Sequence, residues 1–225
     1  MSSVFRYARA SAARLVAAGA CVLLAACGDA ESAGGESDDP AVAPQILRGE
    51  LEPGEGWLFR ACDANTELPL RPADMVISNL LDELGAPGEK LYVELEGRVG
   101  GRVPTMTMTR LHYAAIDTLG CAAVQMDAEF RAQGNEPFWS LAVEAEHAIW
   151  RTPERLDGLG FAITERENVG EGLLLSGVTE TQALEVAFAA TACRDTMADA
   201  WYGYTVQVQI DDEIYYGCGR RGGAR

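Results

Sequence analysis

Tyr202, Tyr204, Val206, Val208 and Ile210 alternate with Gly203, Thr205, Gln207 and Gln209, the clearest period-two pattern in the chain. Successive side chains of a strand point to opposite faces, so such a run buries one face and leaves the other polar. Asp211-Asp212 then reads as a turn, with Glu213 to Gly217 returning as the partner strand. The same period recurs upstream. Leu91, Val93, Leu95 and Val99 alternate with Tyr92, Glu94, Glu96 and Arg98, a further strand covers Met106 to Tyr113, and Leu141, Val143 and Ala145 alternate with Glu144 and Glu146. One helix interrupts the strands: Val76, Ile77, Leu80, Leu81 and Leu84 recur at helical spacing after Pro72, with Gly85 as a stop. The fold class is mainly β.

Arg6, Arg9 and Arg14 precede an apolar run from Leu15 to Ala26, and no acidic residue occurs before Asp29. That is the layout of a secretory signal, and the run is shorter than the roughly 20 residues a bilayer span needs. It closes in Leu24-Ala25-Ala26-Cys27, which resembles the lipobox of bacterial lipoproteins. The resemblance implies cleavage before Cys27 and lipid on its thiol, with several acyl chains supplying a stable hold on the membrane. Residues 1–26 then form the signal peptide and 27–44 a lipidated tether, whose Gly, Ser, Asp, Glu and Pro content offers almost nothing to bury. Beside the lipidated cysteine stands Gly28, where the inner-membrane retention signal of many Gram-negative lipoproteins has Asp. The resemblance therefore implies sorting to the outer membrane, with the body facing the periplasm.

Cleavage removes three of the 18 basic residues and none of the 34 acidic ones, leaving a mature charge of −19. Such a field repels phosphate backbones, which argues against nucleic acid as a partner. It also argues against polybasic docking on anionic lipid. Of six cysteines, Cys21 leaves with the signal and Cys27 is lipidated, so Cys62, Cys121, Cys193 and Cys218 remain. An even number in an exported chain reads as two disulfides. Three pairings are open; Cys62–Cys121 with Cys193–Cys218 is favoured because each bridge then stays within or at the edge of one domain. The division expected is an OB-like barrel with one helix at residues 45–118, followed by a β-barrel or β-sandwich at 119–225. Residues 194–200 read as a loop with one helical turn, Asp195 being its N-cap.

Phe130-Arg131-Ala132-Gln133-Gly134-Asn135-Glu136-Pro137-Phe138-Trp139 resembles the signature of a family of uncharacterised bacterial envelope lipoproteins, running from Gly134 to Trp139. The spacing of Cys193, Asp195, Met197, Asp199, Tyr202, Tyr204 and Val206, closing in Gly217-Cys218, is similar to the same family's C-terminal pattern. No biochemical activity comes with that likeness. Upstream, Trp57 to Cys62, the helix and Gly88 to Gly97 look like the C-terminal OB-type domain of NlpE-like lipoproteins. That resemblance implies a role in envelope-stress sensing, surface signalling or copper handling, although the Cys-x-x-Cys of those proteins' other domain is absent here.

Catalysis finds little in the residues. The mature chain has only His112 and His147, in different domains, no Gly-x-Ser-x-Gly elbow, and thiols consumed by disulfides. Met106, Met108 and His112 share one parity on a strand, and thioether with imidazole suits Cu(I), but methionines at such spacing equally fill core gaps. Asp195 and Asp199, four apart, would share one face of a helical turn and grip a cation, or simply cap it. Gly134-Asn135-Glu136-Pro137 supplies a turn, and Trp139 beyond it anchors the core or, with Glu136, lines the mouth of a barrel. The reading is of a non-enzymatic, lipid-anchored envelope protein without cofactor, binding an envelope protein or small ligand. The alternatives are a periplasmic inhibitor of a cationic hydrolase such as lysozyme, and a copper-binding envelope protein.

Overall fold

The computed structural model describes residues 43–54, 56–64, 66–84, 90–116, 118–123 and 128–222. The signal peptide, Cys27, all but the last two residues of the tether, and Gly85 lie outside the described residues. The chain is mainly β, with two closed barrels and one short helix.

Five strands close the first barrel. β1 (Gln45–Gly54) pairs antiparallel with β2 (Gly56–Ala61), and β2 with β3 (Glu67–Pro72). After α1 (Met75–Leu84) come β4 (Leu91–Gly100), antiparallel to β1, and β5 (Thr105–Ala115), parallel to β3 and antiparallel to β4. The closed order β1-β2-β3-β5-β4 is an OB-like arrangement. The helix starts where Asp74 Oδ1 accepts a 2.9 Å bond from the Ile77 amide, an N-cap. Its spacing then puts Leu81 fully into the core, with Ile77, Leu80 and Leu84 packed beside it.

The second barrel is an up-and-down meander of eight antiparallel strands, of which the first six are β6 (Phe130–Asn135), β7 (Phe138–Val143), β8 (His147–Thr152), β9 (Arg155–Val169), β10 (Gly172–Val178) and β11 (Ala183–Ala189). Two short strands, β12 (Cys193–Asp195) and β13 (Ala200–Tyr202), precede β14 (Tyr204–Ile210) and β15 (Glu213–Arg221), and β15 closes the ring on β6. Alternate residues fill its interior with Phe130, Trp139, Leu141, Trp150, Phe161, Phe188, Tyr204, Val206 and Val208. Each such side chain contributes about 1.5–3 kcal/mol by burial. Ala145, expected to continue the β7 alternation, is exposed beyond the strand's end.

β12 and β13 do not belong to this ring. They pair with each other, and β13 pairs with β5, Tyr202 opposite Tyr113. A strap of the C-terminal segment thus extends the first barrel's sheet, crossing the division at 118/119. Both barrels lie within one compact unit, Ala41–Arg225. The strap corrects two expectations. Tyr202 does not share a strand with Tyr204: at Gly203, whose amide donates to His112 O at 2.9 Å, the chain passes from one sheet to the other. Residues 196–199 form a hairpin turn, not a helical turn, because the backbone on either side is already committed to β pairing.

The bridges are Cys62–Cys121 and Cys193–Cys218, the favoured pairing. The first ties the end of β2 to a 3-10 turn at Gly120–Ala122; the second ties the strap to β15. β4 is buried on both faces over most of its length, where a half-buried strand was expected. Its outward Tyr92 and Glu94 are covered, and Arg220 of β15 reaches Glu94.

Candidate functional site

The β6–β7 hairpin places the motif residues. Asn135 pairs with Phe138, so Glu136-Pro137 is a two-residue turn, and Trp139 lies opposite Gly134. A Cβ on Gly134 would sit 2.2 Å from Trp139 Nε1, and one on Gly217 would meet Gln133 O at 2.0 Å and Trp139 Cζ2 at 2.7 Å. The two glycines are the floor on which the indole lies. Trp139 stacks on Trp150 at 4.8 Å between centroids, and Trp150 meets Tyr215 at 4.8 Å. Trp139 is therefore a core residue, while Glu136 and Phe138 face solvent.

The other side of β6 carries the polar chemistry. Asp195, only 6 % exposed, accepts bonds from Asn135 Nδ2 at 2.9 Å and Gln133 Nε2 at 3.2 Å. It also accepts from the Met197 and Ala198 amides at 3.0 and 3.3 Å. Four donors satisfy a buried carboxylate without a metal ion. Asp199 is exposed, with φ of 43° in the turn, and Met197 is exposed too. Among the described residues no group of three or more His, Cys, Asp or Glu is arranged to hold a metal ion. Asp195 is thus not the expected N-cap of a helical turn but accepts from the amides of a hairpin turn.

Around this anchor the strand registers assemble a seam. Arg151, Ser140 and Gln133 form one row across β8, β7 and β6; Ala142, Arg131 and Arg220 form the next across β7, β6 and β15. With Tyr202 of the strap they enclose a pocket of about 130 Å³. Arg220 Nη1 pairs with Glu94 Oε1 at 3.0 Å, Tyr92 donates to the same oxygen at 3.1 Å, and the guanidinium lies 4.1 Å above the Tyr113 ring. Tyr113 in turn meets Tyr202 edge-on at 5.0 Å. Burial, then the Glu94 charge, pushes the Tyr92 phenol up to about 12, and burial raises Tyr113 and Tyr202 as well. These hydroxyls stay protonated, and that of Tyr92 donates to Glu94. Burial and then the neighbouring Arg220 lower the Arg131 pKa, the signature of positive potential held at a half-buried place.

The copper candidates separate. Met106 and Met108 are fully buried in the first barrel. Register shifts place β-bulges in β5 at Thr109 and His112, and each extra residue flips the alternation, so the inward series runs Met106, Met108, Leu111, Ala114. His112 instead stacks parallel to Tyr204 of the second barrel, 6.3 Å between centroids. Burial, then Arg110 and Arg221, pushes its pKa down to about 3, and Glu96 Oε2 at 3.4 Å does not hold a proton on the ring against that. His147 is exposed on β8.

Fold and seam together define a class: a two-barrel protein whose barrels are filled by side chains and whose convergent polar groups lie between them. No protein-family model, curated protein or solved structure matches the chain. Sequence reasoning weighed roles for Gly134, Asn135 and Asp195, named Arg131 and Tyr202 only within motif or strand patterns, and missed Arg151 and Arg220. One signal was present: Arg131 and Gln133 alternate with Phe130 and Ala132, marking a polar outer face on β6.

Proposed function

We propose that this chain is a lipid-anchored cell-envelope protein, held to the outer membrane through Cys27 with its body in the periplasm, and that it works by binding rather than by catalysis. The anchor reading rests on Leu24-Ala25-Ala26-Cys27 at the close of the apolar run. The binding reading rests on one observation, the convergence of Arg131, Arg151 and Arg220 with Tyr202, Gln133 and Ser140 around a pocket of about 130 Å³. Guanidinium groups with the protonated Tyr202 phenol form a donor set for an oxyanion, so the ligand is a carboxylate- or phosphate-bearing envelope component.

Two measurements test it. Cys27→Ala should release the protein from membranes or leave it unprocessed, and unchanged processing and membrane association would remove the anchor. Inorganic phosphate should raise the Tm of the wild type and not of Arg151→Ala; a Tm indifferent to phosphate in both would remove the pocket.

A second reading is supported by the outer face of the second barrel. Glu165, Glu185 and Gln209 lie in one row across β9, β11 and β14 with Ser176 of β10 between the two acids, and Glu167 lies in the next row. They line a shallow depression of about 650 Å³. Larger than the seam pocket, it lacks that pocket's converging donors, and its acids suit charge steering of a cationic hydrolase. Lysozyme inhibition that weakens with salt and with Glu165→Gln would favour this reading; no inhibition at low salt would end it.

A further inference from the structure

From Gly97 to Ala115 the sequence contains Arg98, Arg102 and Arg110 and no acidic residue, in a chain with 34 acids among 225 residues. β4 and β5 meet there in a hairpin whose last pair is Gly100 with Thr105, and Gly101, at φ of 93°, turns the chain. Thr107 of β5 is paired with Arg98 of β4 on one side and with Arg71 of β3 on the other. Both arginines are exposed, with two strand spacings, about 10 Å, between their backbones. Like charges in one cross-strand row are destabilising. Nevertheless, among the described residues neither they nor Arg102 forms an ion pair, and the depression of about 520 Å³ that all three line has no acidic residue among its lining. Val103, in that lining, is 67 % exposed, and Val99, opposite Met106 on the other face of β4, is 41 % exposed.

The place of this tip in the barrel gives it a direction. Gln45, the first residue of β1, pairs with Gly97, so the chain enters the first barrel at the end from which the hairpin projects. If the anchor at Cys27 is as read above, tether and basic tip face the bilayer together. We propose that the β4–β5 hairpin tip docks on the anionic lipid of that bilayer, its arginines on headgroup phosphates and Val103 at the headgroup–acyl boundary. Guanidinium forks match phosphate oxygens, and a basic tip with apolar side chains binds such a surface. The remainder of the body, strongly acidic, is repelled by the same surface, so attraction at the tip and repulsion elsewhere fix one orientation. Where charge counting over the whole chain argues against docking on anionic lipid, the distribution of charge argues for it at this one place.

The test uses the full-length lipidated protein in two kinds of vesicle, phosphatidylcholine alone and phosphatidylcholine mixed with phosphatidylglycerol, read by hydrogen exchange of amides in residues 98–107. Exchange should slow in the anionic vesicles only, and each of Arg98→Gln and Arg102→Gln should weaken the docked state about fivefold. Both positions are exposed, so the variants keep the fold. Equal exchange in the two vesicles would overturn the proposal, as would protection by inorganic tripolyphosphate but not by anionic vesicles. Intact mass reports separately on the anchor. Were Cys27 unacylated, the anchor reading would fail, and the same comparison with vesicles added to the protein would still decide whether the tip docks.

Discussion

Asn135 Nδ2 donates to Asp195 Oδ1 at 2.9 Å, tying the turn of the β6–β7 hairpin to the strap that joins the two barrels. The residues lie 60 apart in the chain, in two separate stretches brought together only by the fold. Asp195→Ala would leave two side-chain amides and two backbone amides without their acceptor. A donor stranded away from water costs about 1–3 kcal/mol, and these four are only partly buried. Partial relief by water brings the expected loss to about 3 kcal/mol, measured by denaturant unfolding, with Asn135→Ala costing about 1 kcal/mol. An Asp195→Ala protein as stable as wild type would show that the strap is held by other contacts.

Glu94 is 8 % exposed and takes its charge balance from Arg220. Arg220→Met should destabilise by about 3–5 kcal/mol, because a buried carboxylate loses its counter-charge. Adding Glu94→Gln should restore a large part of that loss, since the double variant strands no charge. Unfolding curves for the two singles and the double give the coupling; additive effects would mean that the pair does not interact.

The bridges close loops of 59 and 25 residues. Restricting the unfolded chain by such loops is worth about 4 kcal/mol for Cys62–Cys121 and about 3.5 kcal/mol for Cys193–Cys218. Replacing either pair by serine should lower the unfolding free energy by about that amount. The Cys193–Cys218 variant should also speed hydrogen exchange in residues 193–202, and a strap that stayed fully protected would argue that β pairing alone secures it.

His112 carries a pH dependence of definite sign. Its pKa falls from 6.5 to about 3 on folding, so between those values the unfolded chain binds a proton that the folded chain does not. Stability is complete above pH 6.5 and falls as pH is lowered toward 3, at up to about 1.4 kcal/mol per pH unit. His112→Phe, which keeps a ring against Tyr204, should therefore gain on the wild type by about 2 kcal/mol between pH 7.5 and pH 5. Parallel stability curves for the two proteins over that range would contradict this.

Local regularities of the chain were legible in its sequence; the way the barrels meet was not. The alternation of Val206, Val208 and Ile210 and the helical spacing of Ile77, Leu81 and Leu84 follow from rules acting over a few residues, whereas counting thiols leaves three disulfide pairings open and only the expected domain division favours the one found. Period two, however, carries no information about which sheet a strand joins, so Tyr202 reads as continuous with Tyr204 although Gly203 moves it to the other sheet. Bulges are equally silent: nothing in Met106 to His112 announces the extra residues that turn His112 away from the methionines. The arginines of the seam come from β6, β8 and β15, and only the closure of β15 on β6 brings Arg220 beside Arg131. Tyr92 and Glu94 read as solvent-facing for the same reason, because their cover is supplied by residues more than a hundred positions away.

The strap also sets a timetable. The chain is delivered N-terminus first, and domains ordinarily fold in the order they emerge. Here the strands of the first barrel are complete at Ala115, yet the layer over Tyr92, Glu94 and Tyr113 arrives only with residues 200–220. Until then the early barrel presents an open edge on β5 and an uncovered patch of aromatic and acidic side chains, a surface that invites association with other chains. Nearly the whole polypeptide must be free before either half is finished, which makes late truncation of this protein damaging at its beginning as well as at its end.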